Sequence, residues 1–147
     1  MADYVGAVAA LKTRLVENWA TTQIAFSNEA HLNPVDENGT PVAWVYCEII
    51  SDGSEIVGTG VPGNQTIRYD GMIKLHVLIP VNTGIETGFA HAVALGEIFR
   101  NQMLYTAEAG RYVRTWVPRI SEGDANSEDG LWFSVTCTID FEYWHRG

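Results

Sequence analysis

The chain has 147 residues, enough for one domain with a proper core and cramped for two. Its 18 acids outweigh 9 bases, a net charge of −9, which excludes nucleic-acid binding built on phosphate neutralisation. No apolar run approaches the roughly 18–20 residues of a membrane span, and two cysteines, Cys47 and Cys137, give neither a disulfide framework nor a metal-ligand spacing.

In chain order, the first element is a helix over residues 3–19. Tyr4, Val8, Leu11, Leu15 and Trp19 fall on one face, while Lys12, Arg14 and Glu17 mostly avoid it. The stretch lacks a leading basic cluster and a processing site, so it reads as an amphipathic helix and not a signal peptide. Ile24 and Phe26 mark a short extended stretch, and Asn33-Pro34 and Asn38-Gly39 mark turns, so residues 22–40 read as a loop or small hairpin. From Pro41 to Ser51 the run PVAWVYCEIIS alternates: Ala43, Val45, Cys47 and Ile49 face the core, and Val42, Trp44, Tyr46, Glu48 and Ile50 face the other way.

Residues 52–64 (DGSEIVGTGVPGN) read as a projecting hairpin loop. Within them GTGVPG matches the spacing of a dinucleotide-binding loop, but that chemistry needs a helix N-terminus directly behind it. The next segment is instead a strand, QTIRYDGMIKLHVLIPV, with a bend or bulge expected at Gly71. A second helix opens at Thr83-Gly-Ile-Glu86, which fits a capping box, and repeats Ile85, Phe89, Ala92, Gly96, Phe99 and Met103. Residues 111–120 read as a third strand ended near Pro118. After it comes the acidic segment SEGDANSEDG, its glycine misplaced for an EF-hand loop. In the last strand Leu131, Phe133, Val135, Cys137, Ile139, Phe141 and Tyr143 share one face, and Trp132, Ser134, Thr136, Thr138, Asp140, Glu142 and Trp144 the other.

The fold expected from this pattern is a single α+β domain over 1–147. It is a mostly antiparallel sheet of about four strands with two helices on one face, in the order α-β-β-α-β-β. Two strands of roughly 14–16 residues exceed the usual length and demand either bulges or ends that meet other subunits.

No motif argues for an enzyme. The histidines His31, His76, His91 and His145 are scattered, a triad of His145, Asp140 and a serine lacks any spacing signature, and Asp140 with Glu142 reads as a solvated strand face. No catalytic residue, cofactor site or metal site is assigned, and buried, inert thiols are expected. Trp44, Trp132 and Trp144 fall opposite the core among polar neighbours. With so few lysines to solubilise the edges, they are the candidate subunit interface.

The chain resembles the tail terminator (tail completion) proteins of long-tailed bacteriophages and prophages. The resemblance rests on the opening helix, the segment IAFSNEAHLNPVDENGTPVAWVYCEI, the strand RYDGMIKLHVLIPVNTG, the helix ending in IFRNQ and the closing FEYW. It implies a non-enzymatic structural protein of the virion tail, assembled in the bacterial host cytoplasm. Its subunits form a hexameric ring that caps the tail tube protein, ends polymerisation and offers a surface to the head connector protein. DNA passes through such a ring without specific binding, and no membrane is involved. Candidate tube contacts in the projecting loop are Glu55, Ile56, Val57 and Val61. The alternatives from the same residues are a head-to-tail connector or neck protein and, from another class, a small-molecule-binding domain.

Overall fold

The computed structural model describes residues 3–29, 34–122 and 132–147. In chain order these form α1 (Tyr4–Asn18), β1 (Gln23–Phe26), β2 (Trp44–Ile56), β3 (Thr66–Pro80), α2 (Glu86–Phe99), β4 (Met103–Leu104), β5 (Tyr112–Thr115), β6 (Arg119–Glu122) and β7 (Trp132–Arg146). The sheet has seven strands in the order β1-β2-β3-β7-β5-β4, with β6 also on β7, and it curls into a half-barrel. The molecule is thus mostly β and mixed, which corrects the expected four-stranded antiparallel sheet and its α-β-β-α-β-β order.

Two local causes produce the difference. β1 is only 4 residues long and pairs parallel with β2, from Gln23 beside Trp44 to Phe26 beside Cys47. Such a pairing needs a long crossover and leaves no period in the sequence. The single strand expected over 111–120 is divided at Pro118, which cannot donate to a ladder. The halves pair with different parts of β7: Tyr112 to Thr115 with Trp144 to Phe141, and Arg119 to Glu122 with Thr138 to Val135.

α1 begins where Asp3 accepts a hydrogen bond from the Gly6 amide at 3.0 Å, satisfying one orphan N–H of the first turn. Ala7, Leu11 and Leu15 are fully buried at helical spacing; each leucine contributes about 1.5–3 kcal/mol by leaving water. Arg14 Nε donates to the Ile98 carbonyl at 2.9 Å and ties α1 to the end of α2. α2 lies close to the sheet through Gly88 and Gly96, where an added Cβ would come within 2.9 Å of Val135 and of Pro118. The expected capping box does not form. Ile85 is the N-cap with no side-chain bond, and Thr83 instead donates to the Pro80 carbonyl at 2.6 Å, closing the turn out of β3.

Both helices pack on one sheet face. There Val45 and Cys47 of β2, Ile73, Leu75, Val77 and Ile79 of β3, and Val135, Cys137, Ile139, Phe141 and Tyr143 of β7 form the main core. Thr115 is buried with them; its hydroxyl donates to the Phe99 carbonyl and accepts from the Gln102 amide at 2.9 Å, pinning the chain as it leaves α2.

The long strands are real: β3 and β7 each run 15 residues and pair without a break from Thr66–Arg146 to Pro80–Trp132. Their far ends are covered by an aromatic stack. Tyr4 of α1 lies 5.5 Å from Tyr69 and 6.4 Å from Tyr143, and the buried His145 stacks on both tyrosines, at 5.5 and 5.3 Å. The bulge expected at Gly71 belongs to the partner strand, where Asp52 is the extra residue between Ser51 opposite Gly71 and Gly53 opposite Asp70.

Candidate assembly surface

β2 continues past its bulge to Ile56, so the segment read as a loop over 52–64 shortens to residues 57–65. Backbone bonds organise its base and tip: Val57 N donates to Thr66 O at 3.0 Å, and Asn64 N to Val61 O at 3.0 Å. Gly63, at φ 89°, takes the left-handed turn directly after Pro62. Because the loop joins two antiparallel strands, no helix N-terminus stands behind GTGVPG to bind a phosphate.

The four candidate tube contacts divide in two. Ile56, Val57 and Val61 are exposed by 60%, 36% and 67%, an apolar tip on a polar hairpin. Glu55, also exposed, instead pairs with Arg68, whose Nε also reaches Asp70 at 3.0 Å and whose guanidinium lies 5.8 Å from the Trp144 ring. Glu55 therefore braces the base of the arm.

The three candidate interface tryptophans also divide. Trp44 and Trp132 are only 6% and 3% exposed and pack edge to face, centroids 6.1 Å apart, with Ala25 of β1 in a small second core. Their location opposite the helices is as expected, but their exposure is not: the two rings pack on each other, with Ala25, Tyr46 and Leu78 against them. Trp144 stays half-buried, stacked on Tyr112 at 5.9 Å, and donates to Glu142 at 2.9 Å.

Between these ends the sheet face opposite the helices carries a row of hydrogen-bonded polar side chains. His76 Nε2 donates to Glu48 at 2.6 Å, leaving Nδ1 to accept from the Thr136 hydroxyl at 2.9 Å. Acid, imidazole and hydroxyl stand in the order of a nucleophilic triad. However, Thr136 sits mid-strand between His76 of β3 and Ser121 of β6, where the ladder on both sides engages the backbone amides that an oxyanion would need. The row locks the register of three strands. Sequence reading missed it because His76 and Glu48 are joined only through register.

The remaining histidine and carboxylate candidates do not converge. His145 and Asp140 lie on opposite faces of β7, as their odd spacing requires, and Asp140 is held by Arg119 at 2.5 Å. His91 packs edge-on to Trp19 at 5.6 Å, and burial holds its imidazole below the ordinary value. His31 and the acidic segment Asp124–Gly130 lie outside the described residues. Among the described residues no group of three metal-ligating side chains occurs. Asp52, Asp70, Asp140 and Glu142 line a shallow trough of about 430 Å³ with Trp116 and Phe141, an acidic patch.

The architecture defines a class: a mostly β half-barrel of mixed strands with two helices packed on one of its faces and a long β2–β3 hairpin. No family model matches the sequence, and no curated protein does. A solved chain whose name carries no activity shares the fold at 16% identity, with a TM-score of 0.66 over 97% of this chain and 96% of its own length. Among the described residues no helix is long and apolar enough to cross a membrane.

Proposed function

We propose that this chain is the tail terminator of a long-tailed bacteriophage or prophage. It is a non-enzymatic tile that closes into a ring, hexameric in the assembled tail, on the last layer of the tail tube. Its place is the virion tail, built in the cytoplasm of the bacterial host.

The observation that supports this best is the hairpin tip. Ile56, Val57 and Val61 stand in water at the end of an arm whose base is braced by Glu55, Arg68 and Trp144. Raising apolar side chains on a braced support gains nothing for the isolated chain, and exposed apolar groups with a polar surround mark a docking surface. The tube protein is the partner assigned to that tip, and the head connector protein the partner assigned to the opposite side of the ring. The acidic balance of the chain serves passage of DNA, since like charges oppose tight phosphate contacts.

Capping is then geometric. The ring copies a tube layer on the side that bears the tips and offers no such layer on the other, so addition stops. Replacing residues 58–64 by an Asn-Gly turn together with Ile56→Ser and Val57→Ser removes all three apolar side chains of the tip and is expected to yield tubes of uncontrolled length in an infected or induced cell. Tubes of normal length would remove the arm from the mechanism. Sedimentation of the protein with DNA-filled heads and not with tails would reassign it to the neck.

A further inference from the structure

The lane beside β2 empties partway along. β1 covers Trp44 to Cys47 and stops at Phe26. There Asn28 takes a left-handed conformation, φ 60°, and Glu29 N donates to Phe26 O at 3.3 Å, which turns the chain aside. From Glu48 to Glu55, β2 keeps β3 on one side and, among the described residues, has no strand on the other. Ser27 N donates to Cys47 O at 3.3 Å, so by alternation the N–H and C=O of Ile49 and Ser51 also point into the empty lane. Past the bulge, Val57 N donates inward to Thr66 O, so the outward groups there are those of Ser54. Such an edge is a template for a further strand.

The two faces of that lane differ. On the face opposite the helices the register sets Glu48 beside Lys74 and Glu55 beside Arg68, and Asp52 lines the acidic trough with Asp70. The three carboxylates of the lane thus share one face. Glu48 and Glu55 each give one oxygen to an internal base, His76 and Arg68, and a carboxylate accepts more than one such bond. Asp52 has no ion-pair partner among the described residues. The whole stretch 23–57 holds six acids and no lysine or arginine. On the helix-bearing face stand Ile49 and Ser51, and Ile49 borders a groove of about 170 Å³ that Val8, Phe26 and Cys47 also line. Lys12 at the same groove is held by Glu29.

We propose that Glu48–Glu55 is a docking edge for an extended segment of another polypeptide, one that alternates basic with apolar or small side chains. Added as a strand, it sets its basic side chains against Glu48, Asp52 and Glu55 and the others against Ile49, Val8 and Phe26. Opposite charges on neighbouring strands attract, and like charges repel. The same carboxylates therefore turn away the matching edge of a second copy, because an antiparallel β2–β2 pair sets acid beside acid. The bulge at Asp52 interrupts the ladder, a further guard against pairing with its own kind. The edge adjoins the apolar tip, but neither the tip, the ring nor the tube enters its argument.

The test uses three end-capped peptides: alternating threonine and lysine, its threonine–glutamate counterpart, and the threonine–lysine peptide with every backbone amide N-methylated. The last keeps the charge and loses every ladder donor. In calorimetric titration at physiological salt the first is expected to bind the full chain about tenfold tighter than either of the others. Amide exchange should slow at Ile49, Ser51 and Ser54 when it binds. Asp52→Lys, at an exposed position, should weaken binding by about threefold or more. Equal affinity for the N-methylated peptide would reduce the site to diffuse charge and overturn the inference. So would protection centred on other residues, an affinity untouched by Asp52→Lys, or no binding of the threonine–lysine peptide. None of this involves tail tubes, so failure here leaves the tube-length assay standing, and the reverse.

Discussion

Trp44 on β2 and Trp132 on β7 meet edge to face across β3, their ring centroids 6.1 Å apart and their planes at 88°. They join three strands on the face that bears no helix among the described residues, with Ala25 of β1 and the partly buried Tyr46 and Leu78 around them. Truncating Trp132 to alanine is therefore expected to destabilise the isolated monomer by about 3–5 kcal/mol, the range for a large buried aromatic. Urea unfolding monitored by circular dichroism measures it. The half-buried Trp144 should cost visibly less as Trp144→Ala, and equal losses would contradict this division of roles.

Gly71 carries a second prediction. A Cβ there would lie 2.5 Å from the Ile50 carbonyl and 2.6 Å from Phe141 Cζ. Gly71→Ala should cost about 1–3 kcal/mol by overpacking. Adding Phe141→Leu should recover only part, since the Ile50 carbonyl belongs to the backbone of β2 and cannot rotate away. Full recovery in the double variant, measured by the same unfolding curves, would mean that the ring alone sets the constraint.

The first turn of α1 gives a pH dependence. Asp3 accepts from the Tyr105 hydroxyl and from the Gly6 amide, and these bonds, helped by the charge of Arg111, hold its carboxyl below the ordinary value of 3.8 against the opposing effect of burial. A carboxyl lowered in the folded state stabilises it above the unfolded value, and that stability is lost as pH falls through the folded one. Asp3→Asn should therefore be less stable than wild type at neutral pH, and the two should converge in acid below the carboxylate range. Parallel melting temperatures from pH 7 to pH 2 would show that Asp3 does nothing electrostatic.

The thiols give the opposite sign. Burial pushes Cys47 up to about 12 and Cys137 to about 11, from an ordinary value of 9.0. The folded state keeps both protons, so this contribution is intact below the unfolded value and lost as pH rises through the folded ones. Neither thiol should react with a disulfide reagent at pH 8 in the native chain, and both should react once urea is added. Rapid native labelling of either one would place it at the surface.

How much of this is legible in the residues depends on which interaction sets each feature. Alternation places Val45, Cys47, Leu75, Val77, Val135, Cys137 and Ile139 on the core face, because period 2 is local to a strand. The parallel partner of β1 is not legible, since Gln23 and Trp44 are neighbours only through a crossover. Asp52 hides the true end of β2: one extra residue reverses the face of everything after it, so Glu55 looks like part of a loop until its register with Arg68 is known. The burial of Trp44 and Trp132 is hidden by their polar neighbours Ser134 and Glu48, which report the middle of that face and not its covered end. Pro118 is legible as a stop, while the second half-strand beyond it needs β7 to be seen.

β7 is also the seam of the sheet, joined to β3 on one side and to β5 and β6 on the other. During translation the β2–β3 hairpin emerges well before it. Residues 81–131 intervene, which at ribosomal speed is roughly 3–10 s of waiting. Over that interval a greasy flank and a full-length row of unsatisfied amides stand open, so nascent chains of this protein have a built-in window for sticking to one another, and chaperone dependence should fall most in variants that shorten it.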